Sequence, residues 1–135
     1  MAKLYRSREG NVTGVDTKTQ LTTLASETAP GPLLVPAGTK KLLAVIAVAI
    51  CDNSVAADGG YLIRLEGPGL QEGPETLAIG ASGVAVATGG QGSVKAQRYE
   101  LDIPVVPSNE ILIFGENTGE DTGTTNIGVT LEFVT

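Results

Sequence analysis

The amino-acid sequence predicts an all-β domain, and three observations support this fold class. Eighteen glycines and seven prolines are distributed over all 135 residues and divide the chain into short segments. β-Branched residues are abundant in these segments. No long stretch repeats apolar residues at the i, i+3, i+4 and i+7 spacing of an amphipathic helix. Short strands separated by regular turn signals are typical of sandwiches and barrels, so we expect little helix.

The last segment contains the clearest predicted strand. Apolar residues occupy the odd positions from Ile127 to Phe133, and they alternate with Gly128, Thr130, Glu132 and Val134. Successive side chains of a strand point to opposite faces of the sheet. The odd positions should therefore face the core and the even positions should mostly face water.

A second strand is predicted over residues 94–105. Tyr99, Leu101 and Ile103 share one face of this strand, and the charged residues between them share the other: Arg98, Glu100 and Asp102. Proline has no N–H to donate to a sheet ladder, so Pro104 and Pro107 should end the strand.

Residues 40–51 differ from the other segments because they are apolar at both odd and even positions. A central strand that is covered on both sides explains this pattern best, and a buried helix is the competing interpretation. The turn residues Pro36, Gly38 and Asn53 flank the segment and favour the strand.

Further strands are predicted at six shorter or weaker segments: 17–26, 33–35, 61–66, 76–79, 84–88 and 110–114. The total is about eight or nine strands, which predicts a β-sandwich of the jelly-roll type formed from two packed sheets. We expect residues 11–135 to form this single domain, preceded by a basic N-terminal arm over residues 1–10.

Charge is distributed unevenly along a chain whose net charge is −6. Lys3, Arg6 and Arg8 give the first eight residues a charge of +3, whereas seven acidic and no basic residues follow Arg98. Such asymmetry suits head-to-tail contacts between copies, so Lys3, Arg6 and Arg8 are candidate interface residues. The acidic balance argues against a general nucleic-acid binder.

Composition also argues against an enzyme and against a bound cofactor. The chain contains no histidine and one cysteine, so the usual general base, the Ser-His and Cys-His pairs and any zinc site within one chain are excluded. Cys51 ends the most apolar segment, where we expect a buried thiol. Carboxylates in loops could support acid–base chemistry in principle, but acidic residues are common in turns because they solvate them.

Residues 115–121 contain the candidate metal ligands of the chain. Glu116, Asn117 and Asp121 could bind calcium, although they lack the regular ligand spacing of an EF-hand. A carbohydrate- or calcium-dependent binding module with a jelly-roll fold is therefore the alternative function.

The sequence offers neither a membrane span nor a secretory signal. The longest apolar run covers residues 42–51, whereas a membrane helix needs about 20 apolar residues. The basic N-terminus is not followed by an apolar stretch and a small-residue cleavage site.

The C-terminal part reads RYELDIPVVPSNEILIFGENTGEDTGTTNIGVTLEFVT from Arg98 to Thr135. Its rhythm of strand, proline turn, strand, polar loop and closing strand resembles small single jelly-roll virion proteins of phages and archaeal viruses. An earlier counterpart, PLLVPAGTKKLLAVIAVAI, lies at residues 32–50.

This resemblance implies a capsid or capsid-decorating subunit that is made in the host cytoplasm and resides in the virion. Its partners would be copies of itself and other virion proteins. The basic arm would contact either a neighbouring subunit or, weakly, the packaged genome. No small-molecule substrate would be involved.

Overall fold

A computed structural model describes residues 2–12, 18–23, 31–52, 58–82, 91–117 and 125–135, without the side chains of residues 50–52, 58–60, 80–82, 91–95 and 125. These residues contain nine strands and no helix, and hence no helix that could cross a membrane. The strands are β1 (Lys3–Val12), β2 (Lys18–Gln20), β3 (Leu33–Leu34), β4 (Lys41–Asp52), β5 (Asp58–Glu66), β6 (Glu75–Ser82), β7 (Gln91–Pro104), β8 (Glu110–Asn117) and β9 (Thr125–Val134).

Two antiparallel sheets pack together. The four-stranded sheet has the order β1-β9-β4-β7, and the five-stranded sheet has the order β2-β8-β5-β6 with β3 also beside β8. The pairs β1–β9, β2–β8, β4–β7 and β5–β6 are nested within one another along the chain. The chain is therefore a long hairpin wound into two sheets, which is a jelly-roll sandwich. This confirms the predicted fold class.

The core lies between the inner faces of the two sheets. Odd positions of β9 are fully buried, as their alternation predicts, and Tyr99, Leu101 and Ile103 of β7 pack against the same cluster. The opposite face of β7 carries the exposed charged residues, and this strand ends at Pro104. The largest buried side chains are Tyr61, Phe133, Leu21, Leu33, Leu42, Ile63, Leu65, Ile111, Ile113, Ile127 and Leu131.

Residues 3–10 do not form an arm outside the domain. Lys3–Val12 forms β1, the edge strand of the four-stranded sheet, and pairs with Thr125–Val134 along its whole length. An edge strand has one neighbour and needs few apolar residues, and charged residues at an edge discourage pairing with other chains. The basic residues of this segment are therefore explained by its position at the edge of the sheet.

Several strands extend beyond their predicted ends. β8 continues from Glu110 to Asn117, so Gly115 lies inside a strand and not in a turn. β5 begins at Asp58, before the predicted start at residue 61, and therefore includes Gly59 and Gly60. Residues 84–88 and the side chain of Cys51 lie outside the described part of the chain.

The even positions of β9 correct a further prediction. Glu132 and Val134 are buried, with 2% and 6% of their surface exposed, although they lie on the face that the sequence assigns mostly to water. Glu132 is covered by Tyr5, Arg98 and Lys3 of the neighbouring strands, as described for the candidate site below.

Two glycines provide a test of the two faces of the sandwich. A Cβ at Gly115 would lie 2.7 Å from Val12 Cγ2 and 3.2 Å from Ile127 Cδ1, whereas a Cβ at Gly128 would meet nothing within 4 Å. We expect Gly115→Ala to lower the free energy of unfolding by about 1–3 kcal/mol through overpacking. Gly128→Ala should change it by less than about 0.5 kcal/mol. Urea unfolding of both variants checks this, and equal effects would contradict the assignment of inner and outer faces.

Candidate functional site on the outer face of the four-stranded sheet

Strand β4 occupies the centre of the four-stranded sheet, between β9 and β7. Its inner positions Val45, Ala47 and Ala49 are fully buried in the core. Its outer side chains Leu43, Ile46 and Val48, here called the apolar stripe, are only half-buried. The prediction that this segment is a central strand is confirmed, but the described part of the chain covers its inner face completely and its outer face only in part.

A charged cluster lies beside the apolar stripe and is centred on Glu132. Tyr5 Oη donates a hydrogen bond of 2.8 Å to Glu132 Oε1, and Arg98 Nη2 donates one of 2.5 Å to Glu132 Oε2. Lys3 Nζ lies 3.6 Å from Oε1. Arg98 also donates through Nε to Glu100. Three strands, β1, β7 and β9, therefore supply the cluster.

The cluster depends on a small residue in β4. Ala44 lies between Glu132 of β9 and Glu100 of β7 in the sheet register, next to a register shift after Leu42. Arg98 must pass over β4 to reach Glu132 on the far side. Ala44 has no exposed surface and its methyl group is short, so the guanidinium can cross above it.

The hydrogen bonds of the cluster shift the pKa values of its members. Donation by Arg98 and then by Tyr5 lowers the pKa of Glu132 below its ordinary value, against the opposing effect of burial. The hydrogen bond to Glu132 raises the pKa of Tyr5, and the hydrogen bonds to Glu100 and Glu132 raise the pKa of Arg98. Glu132 is thus held as a carboxylate whose charge is neutralised within the sheet.

A shallow groove extends the apolar stripe toward the C-terminal end of β9. Its volume is about 420 Å³, and Leu43 and Val134 line it together with Lys40, Lys41, Asp102 and Thr135. Lys41 Nζ pairs with Asp102 Oδ1 at 3.0 Å along one side. The groove therefore has an apolar lining with charged residues at its border.

Several backbone groups of β1 that face away from β9 have hydrogen-bond partners within the chain. Glu9 exchanges backbone hydrogen bonds with Thr23, which shows that the odd residues of β1 point their backbone groups away from β9. Along the same edge, Arg6 Nη1 donates to the Tyr5 carbonyl at 2.8 Å and Arg8 Nη1 donates to the Ser7 carbonyl at 2.7 Å. These carbonyls already accept hydrogen bonds within the chain.

Arg8 also joins the two sheets at this edge. Its side chain is 7% exposed, and its Nε donates to the Gly31 carbonyl at 2.9 Å while its Nη2 donates to the Pro32 carbonyl at 3.4 Å. Tyr99 closes the opposite edge, because its hydroxyl donates to the Ala78 carbonyl of β6. Burial raises the pKa of Tyr99, which keeps its hydroxyl protonated as a donor.

The three predicted interface residues therefore do not form one basic patch. Lys3 lies on the outer face beside Glu132. Arg6 and Arg8 are even positions of β1, on the opposite side of the strand, and their guanidinium groups donate to backbone carbonyls. Arg8 is an internal residue because it is buried. This corrects the expectation that all three cations are available to a neighbour or to a genome.

The predicted calcium ligands do not converge either. Glu116 and Asn117 are consecutive residues of β8, so their side chains point to opposite faces. Glu116 Oε2 accepts from Arg64 Nε at 2.9 Å on the outer face, whereas Asn117 is fully buried. Asp121 lies outside the described residues. Within the described residues, no three carboxylate or thiolate side chains come together as metal ligands.

The outer face of the five-stranded sheet differs from that of the four-stranded sheet. Arg64 Nη2 pairs with Glu116 Oε2 at 2.8 Å, and Lys18 Nζ pairs with Glu66 Oε1 at 2.5 Å. Lys18 Nζ also lies 4.1 Å from the centroid of the Phe114 ring, which it partly covers. Ion pairs between strands therefore cross this face.

The sequence matches no protein-family model and shows no significant similarity to any curated protein. The interpretation of the outer face therefore rests on its geometry and chemistry.

The sequence revealed one part of this surface and missed the other. The two-sided apolar pattern of residues 40–51 marked the apolar stripe, because a strand covered on one side only would alternate. Glu132 and Tyr5 are 127 positions apart in the chain and are joined only through the pairing of β1 with β9. The one available signal was a carboxylate inside the clearest apolar strand.

Arg8 and Arg6 form a matched pair for testing the edge. We expect Arg8→Met to lower the free energy of unfolding by about 1–3 kcal/mol, because carbonyls at a buried edge lose their donors while the aliphatic stem is kept. Arg6→Met should have an effect below about 0.5 kcal/mol, since Arg6 is exposed. Urea unfolding of both variants measures the difference. A destabilisation that is equal in both would contradict the internal role of Arg8.

The lowered pKa of Glu132 predicts a specific pH dependence of stability. Its contribution is complete above the ordinary carboxyl value of 4.5 and is lost as the pH falls through the lower value of the folded state. Glu132→Gln should therefore be less stable than wild type at neutral pH, and the difference should shrink on acidification. Glu100→Gln is the control, because Glu100 is exposed and should change the profile much less. Parallel stability profiles for Glu132→Gln and wild type would contradict this role of Glu132.

Proposed function

We propose that this chain is a structural virion subunit, either a capsid protein or a capsid-decorating protein, that acts through self-assembly and contacts with other virion proteins. One observation carries the proposal: β4 is apolar on both faces, and the apolar stripe on its outer face is only partly buried within the described residues. Covering this apolar surface with a neighbouring molecule is favourable because it removes apolar area from water. In an assembly, a neighbouring subunit can cover the apolar stripe.

The fold and the remaining chemistry of the outer face support the same proposal. The double-sheet jelly roll is used by viral capsid domains, and its compact sandwich presents sheet faces and loops to neighbours. The central charges of the outer face, on Glu132 and Arg98, neutralise each other within the chain. A neighbour can therefore cover this face without leaving an isolated buried charge.

In this function, the virion is the site of action and the host cytoplasm is the site of synthesis. The basic residues of the N-terminal segment contribute mainly within the sheet, since Arg8 is buried and Lys3 lies beside Glu132. The proposal assigns subunit contact to the outer face of the four-stranded sheet and does not require the genome as a partner.

We expect the purified chain to form assemblies of defined size that grow in population with concentration. Multi-angle light scattering over a wide concentration range measures the mass, and negative-stain electron microscopy shows whether the assemblies are shells, rings or smaller oligomers. A chain that remains monomeric at every concentration and never joins a particle would contradict the proposed function.

A further inference from the structure

We propose that the outer face of the four-stranded sheet binds the same face of a second copy of this chain, in a two-fold symmetric pair. This inference rests on the proposed function, because it names the surface and the partner of one contact in the assembly. The contact is centred on the apolar stripe, Leu43, Ile46 and Val48, and includes Tyr5, which is 50% exposed. Identical copies most often associate through such self-complementary contacts.

The size of the face is sufficient for a specific contact. Four strands spaced at about 4.8 Å give a width of about 19 Å, and the outward residues from Lys3 to Asn11 span about 27 Å along β1. The projected area is thus about 500 Å² per copy, or about 1,000 Å² for the pair, which is at the threshold for a biological interface and in the range of weak, reversible contacts. A face-to-face pair of sheets would also place the two copies at the usual stacking distance of about 10 Å.

The polar groups of the face can be covered without loss of their partners. Glu132 holds hydrogen bonds from Tyr5 and Arg98, and Ser7 Oγ and Thr130 Oγ1 lie 2.7 Å apart in the next row. Beside them, Gly128 presents no side chain. A second copy therefore meets polar groups in these rows that are already hydrogen-bonded, which limits the cost of desolvation.

The charges along β1 favour a second copy in an antiparallel arrangement. Lys3 and Glu9 are odd positions of β1 like Tyr5, so they lie on the outer face with it. They are near opposite ends of the strand. In this arrangement, the two-fold axis lies between the facing four-stranded sheets of the two copies and runs perpendicular to their strands. It places each Lys3 opposite the partner's Glu9. Opposite charges at the rim of an interface fix its register and contribute modestly to affinity.

Two further features direct copies to this face. The β1 edge is less favourable for an added strand, because Arg6 and Arg8 donate to two of its carbonyls, those of Tyr5 and Ser7. The outer face of the other sheet also has half-buried apolar residues, Leu62, Leu112 and Phe114, but along β5 and β8 they are interspersed with the residues of the ion pairs Lys18–Glu66 and Arg64–Glu116. We therefore assign the contact to the apolar stripe, whose residues follow one another along the central strand β4.

The first test places a carboxylate in the stripe and at a matched position of the other sheet. Val48 and Leu62 are both half-buried, outward-facing residues of central strands, in β4 and β5. We expect Val48→Asp to weaken self-association at least about tenfold, as for a residue at the centre of an interface, and Leu62→Asp to leave it unchanged. Sedimentation-velocity ultracentrifugation gives the dissociation constants. Equal effects of the two variants would overturn the inference.

A milder variant keeps the test valid if Val48→Asp does not fold. Val48→Thr keeps the shape of the side chain and a good strand propensity while adding a hydroxyl to the interface. It should fold with a circular-dichroism spectrum like that of wild type and still associate more weakly. A folded Val48→Thr variant that associates as tightly as wild type would overturn the inference.

The second test exchanges the charges at the ends of β1. Lys3→Glu and Glu9→Lys each place like charges opposite each other in the pair, so each should weaken association about two- to fivefold. The double variant Lys3→Glu/Glu9→Lys restores opposite charges and should recover the affinity of wild type. Melting temperatures control for the loss of the Lys3–Glu132 contact. A double variant weaker than both single variants would overturn the antiparallel register.

These outcomes separate the inference from the proposed function. Wild-type chain that assembles into particles, together with Val48→Asp that assembles equally well, overturns the inference and leaves the proposed function standing. Wild-type chain that is monomeric at every concentration and never joins a particle overturns both.

Discussion

The burial of β4 is the constraint on which the rest of the structure depends. This strand pairs with both β9 and β7, and its inner residues lie at the centre of the core. The nested pairing of the chain brings β1 beside β9 and so completes the four-stranded sheet around it. Because β4 is apolar on both faces, the sandwich core stabilises one face and leaves the other as surface with a hydrophobic driving force for association.

The polar groups around this sheet have complementary roles. Glu132 and Arg98 neutralise each other across β4, and small Ala44 makes that contact sterically possible. At the two edges of the sandwich, Arg8 and Tyr99 donate to backbone carbonyls and so close the gaps between the sheets. Satisfied edges reduce pairing of strands between molecules, whereas the apolar stripe remains available. Association through the face is thereby favoured over association through the edge.

Local patterns in the sequence predicted much of the fold but little of the site. The alternation of β9 and the two-sided apolar pattern of β4 identified the core strands. β1 was not recognised as a strand, because an edge strand needs few apolar residues. The predicted strand over residues 110–114 stops before Gly115, although Gly115 is an inner-face position beside Val12, so the prediction also leaves Glu116 outside the strand. The Glu132 cluster depends on the register of strands that are distant in sequence, and no local pattern records that register.

Hydroxyl-radical footprinting tests the central claim, that association covers the outer face of β4, most directly. Tyr5 and Leu34 are both exposed, at 50% and 56%, but Tyr5 lies on the same outer face as the apolar stripe, separated from β4 by Glu132 of β9, and Leu34 lies in β3 of the other sheet. The account predicts that Tyr5 loses reactivity as the chain associates with increasing concentration, whereas Leu34 keeps its reactivity. Loss of reactivity at Leu34 with none at Tyr5, in an associated sample, would contradict the account.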